Sequence, residues 1–371
     1  MLGGVTRAVE TIRASLEALG HSVLVVAPRM AGALPQPGVL RVPAVPAPTY
    51  PDFALPLPVG PRLTRALRAL DLDVFHAHHP FLLGGTAGRL ARSLGRPLVF
   101  TYHTLYDKYA HYVPLPRAAV ARQALAWSTR FANQADVVIA PSEALAERIR
   151  SQGVARPVEV VPTGIDLGWF QPGNRTDARA ALGLAPDRPL LVYVGRLDRE
   201  KNLDFLLEAF AAVLRVRPDA ELLLVGRGTR ELSLRATTAR LGVAHRVRFV
   251  GGVPPADVVA FYQAADVFVF ASTTETQGLA VLEAMAVGRP VVAVRASGVE
   301  EAVMDGVTGL LTAEDSSAFA AAVTEILEDA GLAAKLAGGG REVARRFAAP
   351  VLAARLVGIY RRLLGADSVP D

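Results

Sequence analysis

The chain alternates short, wholly apolar runs with helical periods, and it does so in two successive rounds. The first round contains SVLVVAP, VFHAH, PLVFTYH, DVVIAPS and VEVVPTG, and the second LLVYVG, ELLLVG, VRFVGG, DVFVFAS and PVVAVRAS. Apolar runs of this length, bounded by turns and separated by amphipathic helices, are buried on both faces, which is the pattern of parallel strands in an α/β layer. Two rounds predict two Rossmann-like domains and a cleft, and 371 residues is too long for one ordinary core.

The expected boundaries are residues 1–165 for the first domain, 166–349 for the second, and 350–371 for a C-terminal helix packing on either one. The turn-rich stretch QPGNRTDAR separates the rounds, with Pro172 and Gly173 as a hinge. Between residues 28 and 61 ten prolines forbid a long helix and predict an extended surface excursion. The last helix, from Pro350 to Leu364, carries Leu352, Leu356, Ile359, Tyr360 and Leu363 at helical spacing.

Composition narrows the classes. There is no cysteine, which excludes disulfides and thiolate metal sites and fits a reducing cytosol. No apolar run reaches the roughly 18 residues of a spanning helix, and no basic-then-apolar leader opens the chain, so a soluble or peripheral protein is expected. Residues 1–175 hold 18 Lys and Arg against 11 acids, whereas residues 176–371 hold 22 against 24. The first half is therefore expected to meet something anionic. No motif points to nucleic acid.

The chemistry concentrates in TTETQGLAVLEAMAVGRPVV, where Glu275 and Glu283 stand either side of seven residues and follow the strand DVFVFAS. Strand, small-residue turn and helix make an anion site, because the amides of Gln277, Gly278, Leu279 and Ala280 lie at a helix N-terminus. At about 1.5 Å per residue the two carboxylates stand about 12 Å apart, the span from ribose to sugar in a nucleotide-sugar. Glu275 then holds sugar hydroxyls and Glu283 those of the ribose.

In LLVYVGRLDREKNLD, Arg196 follows a strand and Lys201 precedes a helix. Two fixed cations there offset the charge of a departing diphosphate, so no metal is needed. Arg199 and Glu200 of the same loop read as solvated. Gly3 and Gly4 form a short loop ahead of the first helix that brings backbone amides near a phosphate. No GxGxxG occurs, which argues against hydride transfer. His103 ends the strand PLVFTY and is expected to hydrogen-bond a sugar hydroxyl and orient the anomeric carbon. Asp71 and Asp73, and His76, His78 and His79, suggest a metal site but lack a partner acid on the same face, so none is expected.

These motifs resemble glycosyltransferase family four, the retaining enzymes of the GT-B fold, over essentially the whole chain. The carriers are the two glutamates with seven residues between them and the loop GRLDREKN. The resemblance implies an α/β GT-B architecture with an acceptor-binding first domain, a nucleotide-sugar-binding second domain and a C-terminal crossover helix. It implies that Arg196 and Lys201 bind the diphosphate, Glu275 the donor sugar and Glu283 the ribose. With His103, read from its place at a strand end, Arg196, Lys201 and Glu275 are the expected catalytic residues. The leaving phosphate itself deprotonates the acceptor in such enzymes, and the anomeric configuration is retained. A narrower resemblance, carried by HAHHPFLLG, TYHTLYDKYAHYVP and ASTTETQGL, is to the bacterial diacylglycerol glucosyltransferases. It implies transfer of a hexose, UDP-glucose favoured, to a membrane lipid such as diacylglycerol by a cytoplasmic protein peripheral on the inner face of the cell membrane.

The residues add support for a lipid surface. Arg62, Arg65 and Arg68 recur at three-residue steps while Leu63, Leu67 and Leu70 take another side. Residues 108–135 carry Lys108, Arg117, Arg122 and Arg130, no acid, and the aromatics Tyr109, Tyr112, Trp127 and Phe131. Of these, Arg62, Arg65, Arg68, Arg117, Arg122 and Trp127 are the expected membrane contacts. Other readings stay open: a GDP-mannose-dependent lipid mannosyltransferase, a transferase to a soluble acceptor, a sugar-nucleotide epimerase, or a non-catalytic binding protein. The oligomeric state is not legible. Because Gly3 and Gly4 follow only Met1 and Leu2, a first strand is expected upstream of Met1, about eight to twelve residues long with its turn.

Overall fold

A computed structural model describes residues 4–30, 34–47, 50–57, 61–107 and 116–366. They gather into two units: Ala8–Pro162 with Pro350–Asp371, the N-terminal unit, and Met1–Arg7 with Thr163–Ala349, the C-terminal unit. The N-terminal unit runs through α1 (Gly4–Ala18, its residues up to Arg7 counted with the other unit), β1 (Val25–Pro28), β2 (Val39–Val42), β3 (Ala44–Ala47), β4 (Tyr50–Pro56) and α2 (Pro61–Arg68). It continues through β5 (Phe75–Ala77), α3 (Leu83–Leu94), β6 (Leu98–Thr101), α4 (Arg117–Ala132), β7 (Val137–Ala140), α5 (Glu143–Ser151) and β8 (Val158–Val160). Strands β5 to β8 form one parallel sheet in sequence order, β1 and β2 a separate parallel pair, and β3 and β4 an antiparallel pair. The proline-rich segment is thus more than an excursion. Its first strand pairs Val39 with Val25.

The C-terminal unit contains α6 (Arg175–Ala181), β9 (Leu190–Val194), α7 (Leu203–Val216), β10 (Glu221–Val225), α8 (Glu231–Arg240), β11 (Val247–Gly251), α9 (Val258–Ala264) and β12 (Val267–Phe270). After these come α10 (Leu279–Val287), β13 (Val291–Val294), α11 (Ser297–Glu300), β14 (Leu310–Thr312), α12 (Ser316–Glu328) and α13 (Ala330–Arg346). Its six strands are all parallel in the order β11-β10-β9-β12-β13-β14. From β9 the chain builds outward one way to β11 and then returns to build the other way from β12, so the connections diverge between β9 and β12. In a doubly wound sheet that switch point leaves a crevice at the carboxyl ends of the strands. Every residue of β9, β12 and β13 is buried. Each large apolar side chain so removed from water contributes roughly 1.5–3 kcal/mol, which is why these runs tolerate no polar residue.

One device recurs in both units. Asp136, just before β7, donates its backbone N–H to the carbonyl of Leu98 and accepts the N–H of Leu98 on its carboxylate, both at 2.8 Å. Asp266, just before β12, does the same with Leu190 at 2.9 and 2.8 Å. Each carboxylate also takes an arginine, Arg156 in the first case and Arg175 and Arg179 in the second. Arg179 is 1% exposed and spends its guanidinium on Asp266 and on the carbonyls of Ala264, Pro186 and Arg188. A buried charge with this many partners is costly to unpair.

The last helix, α14 (Ala349–Leu363), lies almost wholly in the N-terminal unit. Ala353 and Val357 pack with Leu16 of α1, Arg362 pairs with Glu159, and Arg355 donates to the carbonyl of Val160. Among the described residues no helix is long and apolar enough to cross a membrane.

Candidate functional site

The loops that leave β9 and β12 flank the switch point, and eight of the site residues singled out in the sequence lie on them or on the helix α10 that follows. Beyond β9 the chain passes Gly195, where a Cβ would stand 2.5 Å from the hydroxyl of Tyr193. That hydroxyl, fully buried, donates back to the carbonyl of Arg196 at 2.8 Å and fixes the turn. The Arg196 guanidinium is then gripped by Asp198 at 2.7 Å and by Glu200. Asp198 is itself held by the backbone N–H and the hydroxyl of Thr229, each at 2.8 Å.

Glu200 therefore corrects the sequence reading: it is 8% exposed and an ion partner, whereas Arg199 is exposed as expected. Asp198, 1% exposed, was missed altogether. Its signal, an acid two residues beyond an arginine at a strand end, is too common to identify it alone. Lys201 ends a short 3-10 turn and bonds Glu275 at 2.5 Å.

Glu275 lies in the loop after β12, not in a helix, so the rise used to estimate about 12 Å between the carboxylates does not apply over its first residues. Its backbone is pressed onto Gly298 at α11, where a Cβ would meet the Glu275 carbonyl oxygen at 2.1 Å. Burial, the largest single influence, pushes the Glu275 carboxyl up, but Lys201, Ser272 and Arg196 together outweigh it and the net shift is downward, so the group is ionised. Three carboxylates thus face two cations in this cluster.

Helix α10 begins at Leu279 with Gly278 as its N-cap, in the left-handed conformation at φ 74° that favours glycine. Gly278, Leu279 and Ala280 stand at the helix start, as the sequence predicts. Gln277 stands just before that N-cap, and its buried side chain clamps Thr163, accepting from that backbone N–H at 2.6 Å and donating to its carbonyl at 2.8 Å. Glu283 sits one turn inside the helix, 3% exposed, accepting from the Tyr262 hydroxyl at 2.6 Å on one oxygen and from Arg7 on the other. Its carboxyl is raised by burial, a shift that Arg7 and Tyr262 only partly offset. Gly4 is already the first residue of α1 rather than part of a loop, and Gly3 lies outside the described residues.

In the N-terminal unit, at the carboxyl ends of β5 and β6, His103 bonds His78 through their ring nitrogens at 2.9 Å. His76 stacks on His78 and is itself bonded to Tyr360 and Thr101. Burial holds all three imidazoles below their ordinary value, His78 at about 4, and neighbouring rings add to this for His76 and His103. Among the described residues no group of three or more metal-ligating side chains is placed to hold an ion.

Arg65, Arg68, Arg117 and Arg122 are exposed, as is Trp127, while the side chain of Arg62 lies outside the described residues, as do Lys108, Tyr109 and Tyr112. Two expectations for this surface are corrected. Phe131 is buried against Phe100 in the core, and Leu70 lies beyond the end of α2 and is exposed, whereas Leu67 is buried.

Comparison with known proteins agrees with this fold. The structure is similar to that of sucrose-phosphate synthase from Thermosynechococcus elongatus, with a TM-score of 0.83, 28% identity, and 98% of this chain and 94% of that one covered. The fold is that of the GT-B glycosyltransferases, built from two Rossmann-like units. Residues 2–169 match the model of Glycosyltransferase Family 4 and residues 174–343 that of Glycosyl transferases group 1. Among relatives, a GDP-mannose-dependent alpha-mannosyltransferase of Mycolicibacterium smegmatis is 34% identical over 381 residues, 99% of this chain and 96% of the relative. An alpha-monoglucosyldiacylglycerol synthase of Streptococcus pneumoniae is 30% identical over 302 residues, 79% of this chain and 68% of the relative. The chain belongs to glycosyltransferase family four and is a glycosyltransferase.

Proposed function

We propose that this glycosyltransferase moves a hexose from UDP-glucose, with retention of configuration, to a diacylglycerol-type membrane lipid. The observation that carries the reading is the gathering of Arg196, Lys201 and Glu275 on the loops beside the switch point, with Glu283 on the following helix. Arg196 is aimed by two carboxylates and neutralises the diphosphate together with Lys201. A phosphate oxygen at the start of α10 meets the amides of Gly278, Leu279 and Ala280 and the positive end of the helix. Glu275 holds hydroxyls of the donor sugar, and donor entry replaces its bond to Lys201. Glu283 holds the ribose, and the ribose hydroxyls take over from Arg7.

His103 gives a hydrogen bond to a sugar hydroxyl. Its depressed basicity makes it a neutral partner rather than a proton acceptor, and the leaving phosphate is the base that takes the acceptor proton. The cations stand in for a metal, so none is required.

The lipid acceptor rests on the likeness to a diacylglycerol-linked synthase and on the exposed Arg65, Arg68, Arg117, Arg122 and Trp127, which suit an anionic membrane surface. On this reading the protein works at the inner face of the cell membrane, and among the described residues no helix is long and apolar enough to cross it. A GDP-mannose-dependent mannosyl transfer is the second reading, favoured by the relative that aligns over 99% of the chain.

The test is a panel of UDP- and GDP-sugars offered with mixed micelles containing diacylglycerol, products being identified by mass. Glucosyl-diacylglycerol formed from UDP-glucose is the expected product. Mannosyl product from GDP-mannose alone supports the second reading instead.

A further inference from the structure

We infer that His78 is a positioning residue for His103, fixing the plane and the tautomer of the imidazole. The kinetic consequence rests on the role proposed above for His103. The structural claim does not.

Strands β5 and β6 are parallel neighbours in the register Phe75 with Leu98, His76 with Val99 and Ala77 with Phe100, so the residues just beyond their ends emerge side by side. His78 and His103 meet there, Nδ1 to Nε2 at 2.9 Å, with ring centroids 5.2 Å apart and planes 27° from parallel. Under His78 lies His76, its centroid 4.2 Å away. His76 cannot rotate without losing a bond, because its Nδ1 meets the Tyr360 hydroxyl and its Nε2 the Thr101 hydroxyl, both at 2.6 Å. Helix α14 thus pins His76 through Tyr360, His76 forms a floor for His78, and His78 holds His103.

The chemistry of the pair follows from its protonation. Burial keeps both rings neutral at pH 7, and the rings of His78 and His79 add to the depression at His103. A neutral imidazole has one N–H and one bare nitrogen. Two neutral rings joined nitrogen to nitrogen must therefore adopt complementary states, so that the tautomer of one dictates that of the other. A carboxylate in place of His78 would stabilise an imidazolium and make His103 a base. A neutral imidazole does not, and its effect is confined to orientation.

The experiment uses the full chain labelled with 15N-histidine. Two-bond 1H–15N correlations report the tautomer of each ring, and His103 is assigned from the spectrum of His103→Gln. Wild type is expected to show His103 in a single tautomer. In His78→Phe, which keeps a ring but no nitrogen, the His103 signals move to the average of two tautomers. Turnover falls about tenfold, the cost of one orienting hydrogen bond, while KM for the donor is unchanged. His78→Asn keeps a donor and an acceptor and restores most of the turnover.

An unchanged His103 pattern in His78→Phe overturns the inference, whether or not turnover falls. A changed pattern with wild-type turnover upholds it and removes His103 from the reaction instead. If His78→Phe does not fold, the wild-type spectrum decides, because averaging between tautomers there also overturns the inference.

Discussion

Gly298 offers the sharpest test of how the site is held together. A Cβ at this position would lie 2.1 Å from the carbonyl oxygen of Glu275, 2.6 Å from its carbonyl carbon and 2.9 Å from that of Thr276. Contacts of a real Cβ stay beyond 3.0 Å, so the Gly298→Ala chain must move the Glu275 backbone by about 0.9 Å. The obstacle is main chain, which cannot swing aside as a side-chain tip would. Overpacking of this kind costs about 1–3 kcal/mol of stability. A misplacement near 1 Å in a group that grips the substrate costs about a hundredfold in turnover.

The expected result for Gly298→Ala is therefore a cooperative melt only a few degrees lower and kcat down about a hundredfold. Glycosyl transfer is followed by product mass across donor concentrations, alongside a thermal melt followed by circular dichroism. Turnover within threefold of wild type in a folded Gly298→Ala protein would refute the claim that the Glu275 backbone is set by its contact with Gly298.

Three further expectations follow from the same geometry. Lys201→Ala lowers turnover by about two to three orders of magnitude, and wild-type activity persists in excess EDTA; loss on chelation, restored by magnesium or manganese, refutes the charge role given to Lys201 and Arg196. Because the folded pKa values of His76, His78 and His103 lie below the ordinary 6.5, their contribution to stability is complete above that pH and is lost as pH falls towards about 4, the value reached by His78. The melting temperature should fall across this window, and less steeply in His78→Gln; equal slopes contradict the assignment. Co-sedimentation with liposomes should rise with anionic lipid and fall with salt, and the joint change of Arg65 and Arg68 to Ser should weaken it; unchanged binding by that variant places the docking surface elsewhere.

Much of the C-terminal unit was legible because its strands are apolar on both faces and its turns are glycine-rich. The strands, the loop holding Arg196 and Lys201, and the start of α10 all follow from local pattern. What sequence alone missed is long-range. Glu200 looks like any loop acid until Arg196 is seen beside it, and nothing local shows that Thr163, 114 positions earlier, takes both ends of the Gln277 side-chain amide. The amphipathic pattern of α14 shows that it packs, but only its contacts with Leu16, His76 and Glu159 show where. Gly4 was misread because two adjacent glycines suggest a loop, whereas the first turn of a helix tolerates one at small cost.

The N-terminal unit is discontinuous in sequence, its last helix being encoded after the whole of the segment Thr163–Ala349. During synthesis the usual order, in which earlier segments complete their folding first, is thereby reversed for its last step. As residues 8–162 leave the ribosome, the face of α1 around Leu16 and the nitrogen of His76 that binds Tyr360 have no partner, and they wait while the intervening six-stranded sheet is made. The apolar face of α1 is thus most vulnerable to chaperone capture or proteolysis in the nascent chain, before Ala353, Val357 and Tyr360 arrive to close it.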